Sequence, residues 1–466
     1  MQQWVRDELS TCDLGDARLD QRYGKLLDRF ESKPSLSIPA ACRGWAEMEA
    51  AYRFFDNAKV TPARVLQPHR DATIARMHGA AVVLIAQDTT EIDLTRRRER
   101  VGGPLDEGHR WGLFAHVQLA LTPELVPLGV VACQQWARDP ASIGVAQTTK
   151  RKERKAKPFV DKESVRWLEG YREACAVAAA VPGTRVVSLA DSECDIYECL
   201  AESGAADWIV RSCQDRALAD GGLLRGKLLS TPLFGSWAIS VSRREKTTGK
   251  GRRREQPREA RDAKVEARAL RVKLRPPSRP GDVQLPVVEV NAVLVREIDP
   301  PAGEEPIEWL LLTRLPIDTA AQVQQVADYY KVRWGVEVFF RTLKSGCGIE
   351  QLQLENIERM MACVTLYLVV AWRVMYVLMR GRQTPAISCD TVFDDAEWQA
   401  VYQMVNKKRA TTPPTLGDMV EWVASFGGYL GRQRHGHPGP KTFWIGMQRV
   451  RDFAAGYELA QALGKT

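Results

Sequence analysis

The sequence predicts an α/β protein built from more than one domain, and three observations lead there. Two short apolar, β-branched runs, residues 81–86 and 185–190, are each followed closely by an acid, Asp88 and Asp191. Buried strands of open α/β sheets end this way where they face a ligand. Stretches of helical and strand period alternate between and beyond these runs. Both ends of the chain show helical periodicity without strand alternation. A length of 466 residues exceeds one ordinary domain, and a 45% hydrophobic fraction supplies a substantial core.

Taken in order, residues 1–70 read as helices of mixed charge, with Arg18, Arg22 and Arg53 dispersed along them and a loop at 35–39. From 71 to 210 the pattern is strands, then a helix, then a strand. Asp88 stands at or near the C-terminal end of the first strand; 117–121 and 129–133 are strand-like, and 167–181 is helical. The run 150–157 is too charged for a core, so it is a solvated loop or a phosphate contact. Asp191 ends a strand and precedes an amphipathic helix on which Cys194 and Cys199 pack as small apolar residues. For Asp88 and Asp191 alike, a local capping or turn role competes with a catalytic one.

From 212 to 320, short alternating runs at 237–241 and 287–295 predict strands, and the basic segment 243–264 between them predicts a flexible hairpin or loop. The run 361–379 is almost wholly apolar but carries Arg373, which favours a buried helix over a membrane span. Beyond about 385 the chain reads as polar helices with a cluster at Lys407, Lys408 and Arg409.

The most informative stretch is 330–344. Wound as a helix from Tyr330, it places Arg333, Glu337, Arg341 and Lys344 between about −60° and +20°. Val332, Val336, Phe339 and Leu343 fall between about 180° and 240°, on the opposite side. One carboxylate in a row of cations suits a metal-dependent enzyme acting on a polyanion, because the metal needs the oxygen and the phosphates need the charge. A surface helix with an Arg333–Glu337 ion pair is the plainer alternative.

Composition narrows the field. The formal net charge of +8 favours an acidic partner such as nucleic acid. Ten cysteines without finger-like spacing suggest free thiols in a reducing cytoplasm rather than a zinc site or disulfide framework. Residues 1–7 lack the apolar core of a secretory signal. His116 reads as packed rather than ligating, and Asp93 and Asp195 as second-layer partners or local caps.

The spacing of Tyr330, Arg333, Glu337 and Lys344 resembles the YREK signature of the insertion-sequence-four family of bacterial DDE transposases. The order Asp88, Asp191, Glu337 matches that family's strand-Asp, strand-Asp, helix-Glu, and Asp191, Glu193 and Asp195 resemble its second motif. Further likenesses run along nearly the whole chain. They include Leu14-Gly15-Asp16-Ala17-Arg18, Tyr52-Arg53-Phe54-Phe55, Trp208-Ile209-Val210-Arg211-Ser212, Trp309 at the family's interval before Tyr330, Gly427-Gly428-Tyr429, and Lys441-Thr442-Phe443-Trp444. Two positions depart: Ser192 follows Asp191 where a basic residue is common, and Arg341 stands where lysine is usual.

The resemblance implies a ribonuclease-H-like catalytic core at 71–375, interrupted by a β-rich insertion at about 212–320. A helical DNA-binding domain at 1–70 and a helical dimerisation and DNA-contact domain at 376–466 flank it. Asp88, Asp191 and Glu337 would be both catalytic residues and ligands of two Mg²⁺ ions, with Mn²⁺ a substitute, because converging carboxylates repel unless a divalent cation lies between them. Arg22, Arg53, Arg211, Tyr330, Arg333, Arg341, Lys344 and Lys441 would contact DNA, and the indole of Trp309 would stack a flipped base unless it is an ordinary core residue. The expected activity is cut-and-paste transposition by a homodimer on double-stranded transposon-end DNA, through a hairpin intermediate and joining of 3′-hydroxyl ends to target DNA. The expected location is the bacterial cytoplasm, on the nucleoid when bound to DNA, without membrane association. A metal-dependent nuclease of the same fold that lacks strand transfer is the first rival, and a non-enzymatic DNA-binding derivative the second.

Overall fold

The computed structural model describes residues 1–95, 100–106, 109–144, 156–241, 259–279, 284–431 and 436–463. Five helices open the chain: α1 (Gln3–Glu8), α2 (Ala17–Ser32), α3 (Ile38–Ala41), α4 (Trp45–Phe55) and α5 (Pro62–Met77). Asp16 starts α2 by accepting the Arg18 N–H at 2.9 Å, and Tyr23, Leu26, Leu27 and Phe30 form its buried stripe at helical spacing. The loop expected at 35–39 is shorter than read, because Ile38 and Pro39 already belong to α3, where proline is tolerated in a first turn.

Four strands follow: β1 (Val82–Asp93), β2 (Gly103–Pro104), β3 (Trp111–Leu121) and β4 (Pro127–Trp136). Then come α6 (Val165–Ala180), β5 (Arg185–Ala190), α7 (Tyr197–Ala201), β6 (Asp207–Arg211), α8 (Leu224–Leu229), β7 (Gly235–Val241), β8 (Arg261–Leu274), β9 (Val288–Glu297) and β10 (Glu308–Thr313). The chain closes with α9 (Ala320–Val332), α10 (Gly335–Arg341), α11 (Ile357–Gln383), α12 (Asp395–Asn406), α13 (Leu416–Phe426) and α14 (Pro440–Leu463). The mixed α/β class expected from the sequence is the class observed.

These elements fall into two compact units. The first comprises residues 1–147, 180–184 and 334–466. In it β3 pairs antiparallel with β1, Asp88 facing Val117, and with β4 on its other edge. Helices α5 and α11 pack on β4. At Gly129 on β4 an added Cβ would lie 1.8 Å from the Thr73 hydroxyl of α5, so this contact needs glycine. The apolar run at 361–379 lies in α11, which is 27 residues long and mostly buried, with the Trp372 indole donating to the Pro127 carbonyl at 2.9 Å. Arg373 is buried in it, stacked 5.0 Å over the Trp4 ring and donating to the Val392 carbonyl. Burial lowers its guanidinium to about 10. Its surroundings are protein, as a core helix requires. The end of α11 shares a core with α12, α13 and α14 through Leu378, Trp398, Val401, Val420, Phe443 and Trp444.

The second unit comprises residues 148–179 and 185–333. Its strands run in the order β5-β6-β10-β9-β8-β7, with β5 and β6 parallel and the remaining neighbours antiparallel. The strands that the alternation predicted at 237–241 and 287–295 are β7 and β9, with β8 paired between them. Arg261 pairs with Val241, so Arg261–Lys264 belong to β8 rather than to the expected basic hairpin; residues 242–258 of that hairpin lie outside the described residues, as do 150–155 of the charged run.

Three further expectations change. β1 continues through Thr89 and Thr90 to Asp93, so Asp88 lies in mid-strand; β-branched threonines extend a ladder readily. Asp191 is followed by a single 3₁₀ turn (Ser192–Cys194) and the five-residue α7, not a long amphipathic helix. The single helix expected over 330–344 breaks at Arg333 and Trp334, and a π turn (Thr342–Gly346) follows Arg341. Since the π turn winds differently from an α-helix, the common stripe drawn through Lys344 does not hold. The apolar back does: Val332, Val336, Phe339 and Leu343 are all buried.

Candidate active site

In the first unit, Asp88 is half-buried on β1 and its Oδ1 accepts the Thr89 N–H at 2.7 Å. Its neighbours are locked. His116, fully buried, joins the Thr89 hydroxyl at 2.9 Å through Nδ1 and Gln87 at 3.2 Å through Nε2, so it is packed and hydrogen-bonded, as the sequence suggested. Glu337 is half-buried in the first turn of α10, where the helix dipole favours a carboxylate. α10 packs on β1 and β3. Gly335 permits this approach, since an added Cβ would meet Leu121 at 3.1 Å and Leu125 at 3.3 Å. Arg341 is exposed.

Lys344 is set among carboxylates. Its Nζ lies 3.9 Å from Glu350, whose Oε1 also accepts the Asp93 N–H at 3.1 Å, while Glu91 is paired with Arg110 at 2.6 Å. Burial pushes the ammonium below the ordinary lysine value in spite of Glu350, Glu91 and Asp93. Asp93 is therefore a neighbour of a signature cation. Glu350 and Arg110 were missed by sequence reasoning, since no spacing rule links them to Lys344.

In the second unit, Tyr330 is the hub. Its ring meets Trp309 edge-on at 5.7 Å between centroids, and the Arg333 guanidinium lies over the ring at 5.9 Å. Burial raises the Tyr330 phenol; the Arg333 and Arg211 charges oppose that shift, Asp191 adds to it, and Arg333 also hydrogen-bonds the hydroxyl. The phenol thus stays protonated at neutral pH, and Asp191, Arg211, Trp309 and Arg333 all act on one side chain. Tyr330 and Arg333 are buried, Arg211 is exposed at the end of β6, and Trp309 is half-buried at the start of β10, so it is not an ordinary core tryptophan. Asp191 caps the 3₁₀ turn by accepting the Glu193 N–H at 2.8 Å, which fixes its carboxylate as a local cap while leaving it half-exposed.

Asp195 has a different task. It is buried, and its oxygens accept from the Ser212 hydroxyl at 2.8 Å, the Cys213 and Gln214 N–H groups at 3.0 and 3.1 Å, and Arg216. It ties the turn after Asp191 to the strand end carrying Arg211. Cys194 and Cys199 are buried as expected. Of the remaining DNA-contact candidates, Arg22 is half-buried on α2, Arg53 is exposed and paired with Glu49 at 2.7 Å, and Lys441 is exposed in the first turn of α14.

Asp88 and Glu337 belong to one unit and Asp191 to the other. No group of three or more His, Cys, Asp or Glu that could hold a metal ion occurs among the described residues. The donors themselves suit a hard cation, being partly exposed carboxylates on adjoining elements in the case of Asp88 and Glu337. Mg²⁺ commonly takes one or two carboxylates and completes its shell with water and substrate phosphates.

Three family models match the chain in order: a transposase DNA-binding model over residues 1–60, a transposase DDE domain over 195–372, and the Tn5 transposase dimerisation domain over 369–466. The chain belongs to the Tn5-like DDE transposases of the insertion-sequence-four family. This transposase therefore carries a DNA-binding domain, a DDE domain of a kind that generally uses divalent metal ions, and a dimerisation domain. Glu337, Trp309, Tyr330 and Arg333 lie inside the DDE match, and Lys441 inside the dimerisation match. Among solved structures, a piggyBac transposase synaptic complex with hairpin DNA is similar at 9% identity over 82% of this chain and 72% of that chain, with a TM-score of 0.32.

Proposed function

We propose that this transposase carries out cut-and-paste transposition as a homodimer, and that Asp88, Asp191 and Glu337 are its catalytic carboxylates. The domain division that goes with this reading is 1–70 for end binding, 71–375 for catalysis with the insertion at 212–320, and 376–466 for dimerisation and further DNA contact. The observation that carries it is the gathering of Asp191, Arg211, Trp309 and Arg333 around Tyr330. A capped carboxylate, two cations and a partly exposed indole grouped around one protonated phenol are what a distorted DNA end requires.

The three carboxylates would hold Mg²⁺ or Mn²⁺, two ions per site, and bound ions would supply activation of the attacking oxygen and stabilisation of the leaving one. The protein's own residues do the positioning. Arg211, Arg333, Arg341 and Lys344 neutralise phosphates beside the scissile bond. Tyr330 donates its phenolic proton to a phosphate oxygen while bracing the Trp309 ring. Trp309 takes the base that must leave the stack when a 3′-hydroxyl attacks the opposite strand to make a hairpin. Arg22, Arg53 and Lys441 hold more distant phosphates of the end duplex. The location fitting this activity is the bacterial cytoplasm, at the nucleoid.

Two measurements test the reading. Incubating the protein and Mg²⁺ with its element's own terminal duplex and a plasmid should yield nicked ends, hairpin and end–plasmid joints. Cutting without joining would leave the nuclease rival standing instead. With Trp309→Ala, first-strand nicking should stay near wild type while hairpin yield falls about tenfold or more. Equal losses in both steps would remove the base-stacking role.

A further inference from the structure

We infer that Trp45 is a base-contacting residue of the DNA-binding domain, an apolar reader presented beside arginines that hold phosphates. The inference rests on residues 1–60 being the DNA-binding domain. At 75% exposure Trp45 is the most exposed large apolar side chain among the described residues. Isolated exposed apolar residues are ordinary, but a tryptophan this open, close in sequence to an exposed arginine and inside a DNA-binding domain, fits a polyanionic partner.

The backbone is fixed by a turn at its base. Gly44 has φ +91°, a conformation that side chains rarely adopt, and Trp45 is the first residue of the 11-residue α4. Glu47, in the first turn of α4, accepts the Arg43 N–H and pairs with Arg29 at 3.1 Å, so the local carboxylate is engaged by main chain and a neighbouring helix. Arg43 and Arg22 make no ion pair among the described residues. The Arg43 charge bears on Glu47 and the Arg22 charge on Cys42, which places both within electrostatic range of this turn. The turn thus holds an open indole two residues beyond the exposed Arg43, with the half-buried Arg22 on α2 also within electrostatic range of the turn. Duplex DNA supplies both complements, apolar base edges and phosphates, where a second copy of this basic chain would repel the arginines.

The test uses the full-length protein. Duplexes are enriched by the wild-type protein from a pool of random sequence, then binding of enriched and mixed-sequence duplexes is measured by anisotropy across a salt series. Trp45→Ala is expected to weaken binding to the enriched duplex about tenfold, to leave the mixed duplex nearly unchanged, and to keep the salt slope, because no phosphate contact is lost. Trp45→Phe should recover most of the affinity. Arg43→Ala should weaken both duplexes alike and reduce the salt slope by about one. Because Trp45 is exposed, the thermal midpoint should not move, which separates lost contact from lost fold. Wild-type affinity of Trp45→Ala for the enriched duplex, equal weakening on both duplexes, or a change in oligomeric state alone would overturn the assignment. Failure of the wild-type protein to bind either duplex would instead overturn the DNA-binding reading of residues 1–60, and this inference with it.

Discussion

Glu337→Gln is expected to reduce Mg²⁺-dependent cleavage of end DNA by at least about a thousandfold while leaving end binding within about twofold of wild type. Glutamine preserves the size of the side chain and its place in the first turn of α10, so the fold and the buried back formed by Val336, Phe339 and Leu343 are untouched. What it removes is the negative charge needed to hold a hard cation, and an amide oxygen is a far weaker ligand. Binding is dominated by phosphate contacts at arginines and lysines, which this change leaves in place. Cleavage on a denaturing gel and a mobility shift on the same duplex report the two quantities separately. Undiminished cleavage would exclude Glu337 as a catalytic carboxylate, and loss of both together would point to the fold. The same split is expected for Asp88→Ala.

Glu8→Ala should destabilise the protein by about 3 kcal/mol, seen as a lower urea midpoint at unchanged slope. Glu8 is buried and bridges His69, through Nδ1, and Arg76 at 2.7 Å, while His69 Nε2 accepts the Val130 N–H at 2.9 Å and Arg76 lies 4.3 Å over Trp372. Through His69 and Arg76 this carboxylate on α1 is linked to α5, β4 and α11. Removing it leaves Arg76 facing the core without its partner. Because Arg76 keeps a quarter of its side chain in solvent, the cost belongs at the lower end of what broken buried pairs show.

The network also sets an acid limit. Burial opposes charge on Glu8, but the His69 and Arg76 contacts outweigh it and hold its carboxyl below the usual range; burial lowers His69. The unfolded chain therefore takes up a proton at His69 first, below about pH 6.5, and at Glu8 below about pH 4.3. Stability should fall progressively as pH drops through this window, and the Glu8 share of the fall should be missing in Glu8→Ala. A flat pH profile in the wild type would contradict the assignment of His69 as neutral in the fold.

Much of this architecture was legible in the residues because its signals are local. β5 and β9 show in their apolar runs, α6 and α11 in their length and composition, and the buried side of 330–344 in Val332, Val336, Phe339 and Leu343 at helical spacing. Asp88, Asp191 and Glu337 stand out as candidates without coordinates, because their order resembles the family's and the YREK spacing singles out the third. Boundaries were less legible, because pairing partners decide them. β1 runs past Asp88 because β3 lies alongside as far as Gly112, and Arg261–Lys264 are strand because β7 pairs with them.

The sequence by itself determined the residue chemistry and the family: strands followed by acids, a cationic helix with one carboxylate, an apolar span meant for a core. Only the tertiary structure decided that the signature helix breaks at Arg333 and Trp334, that Lys344 lies among Glu350, Glu91 and Asp93, and that Asp191, Arg211, Trp309 and Arg333 gather around Tyr330. The reason is physical. Periodicity records what each residue would do on an isolated element, whereas burial, charge pairing and close approaches such as that at Gly335 depend on which distant element arrives opposite.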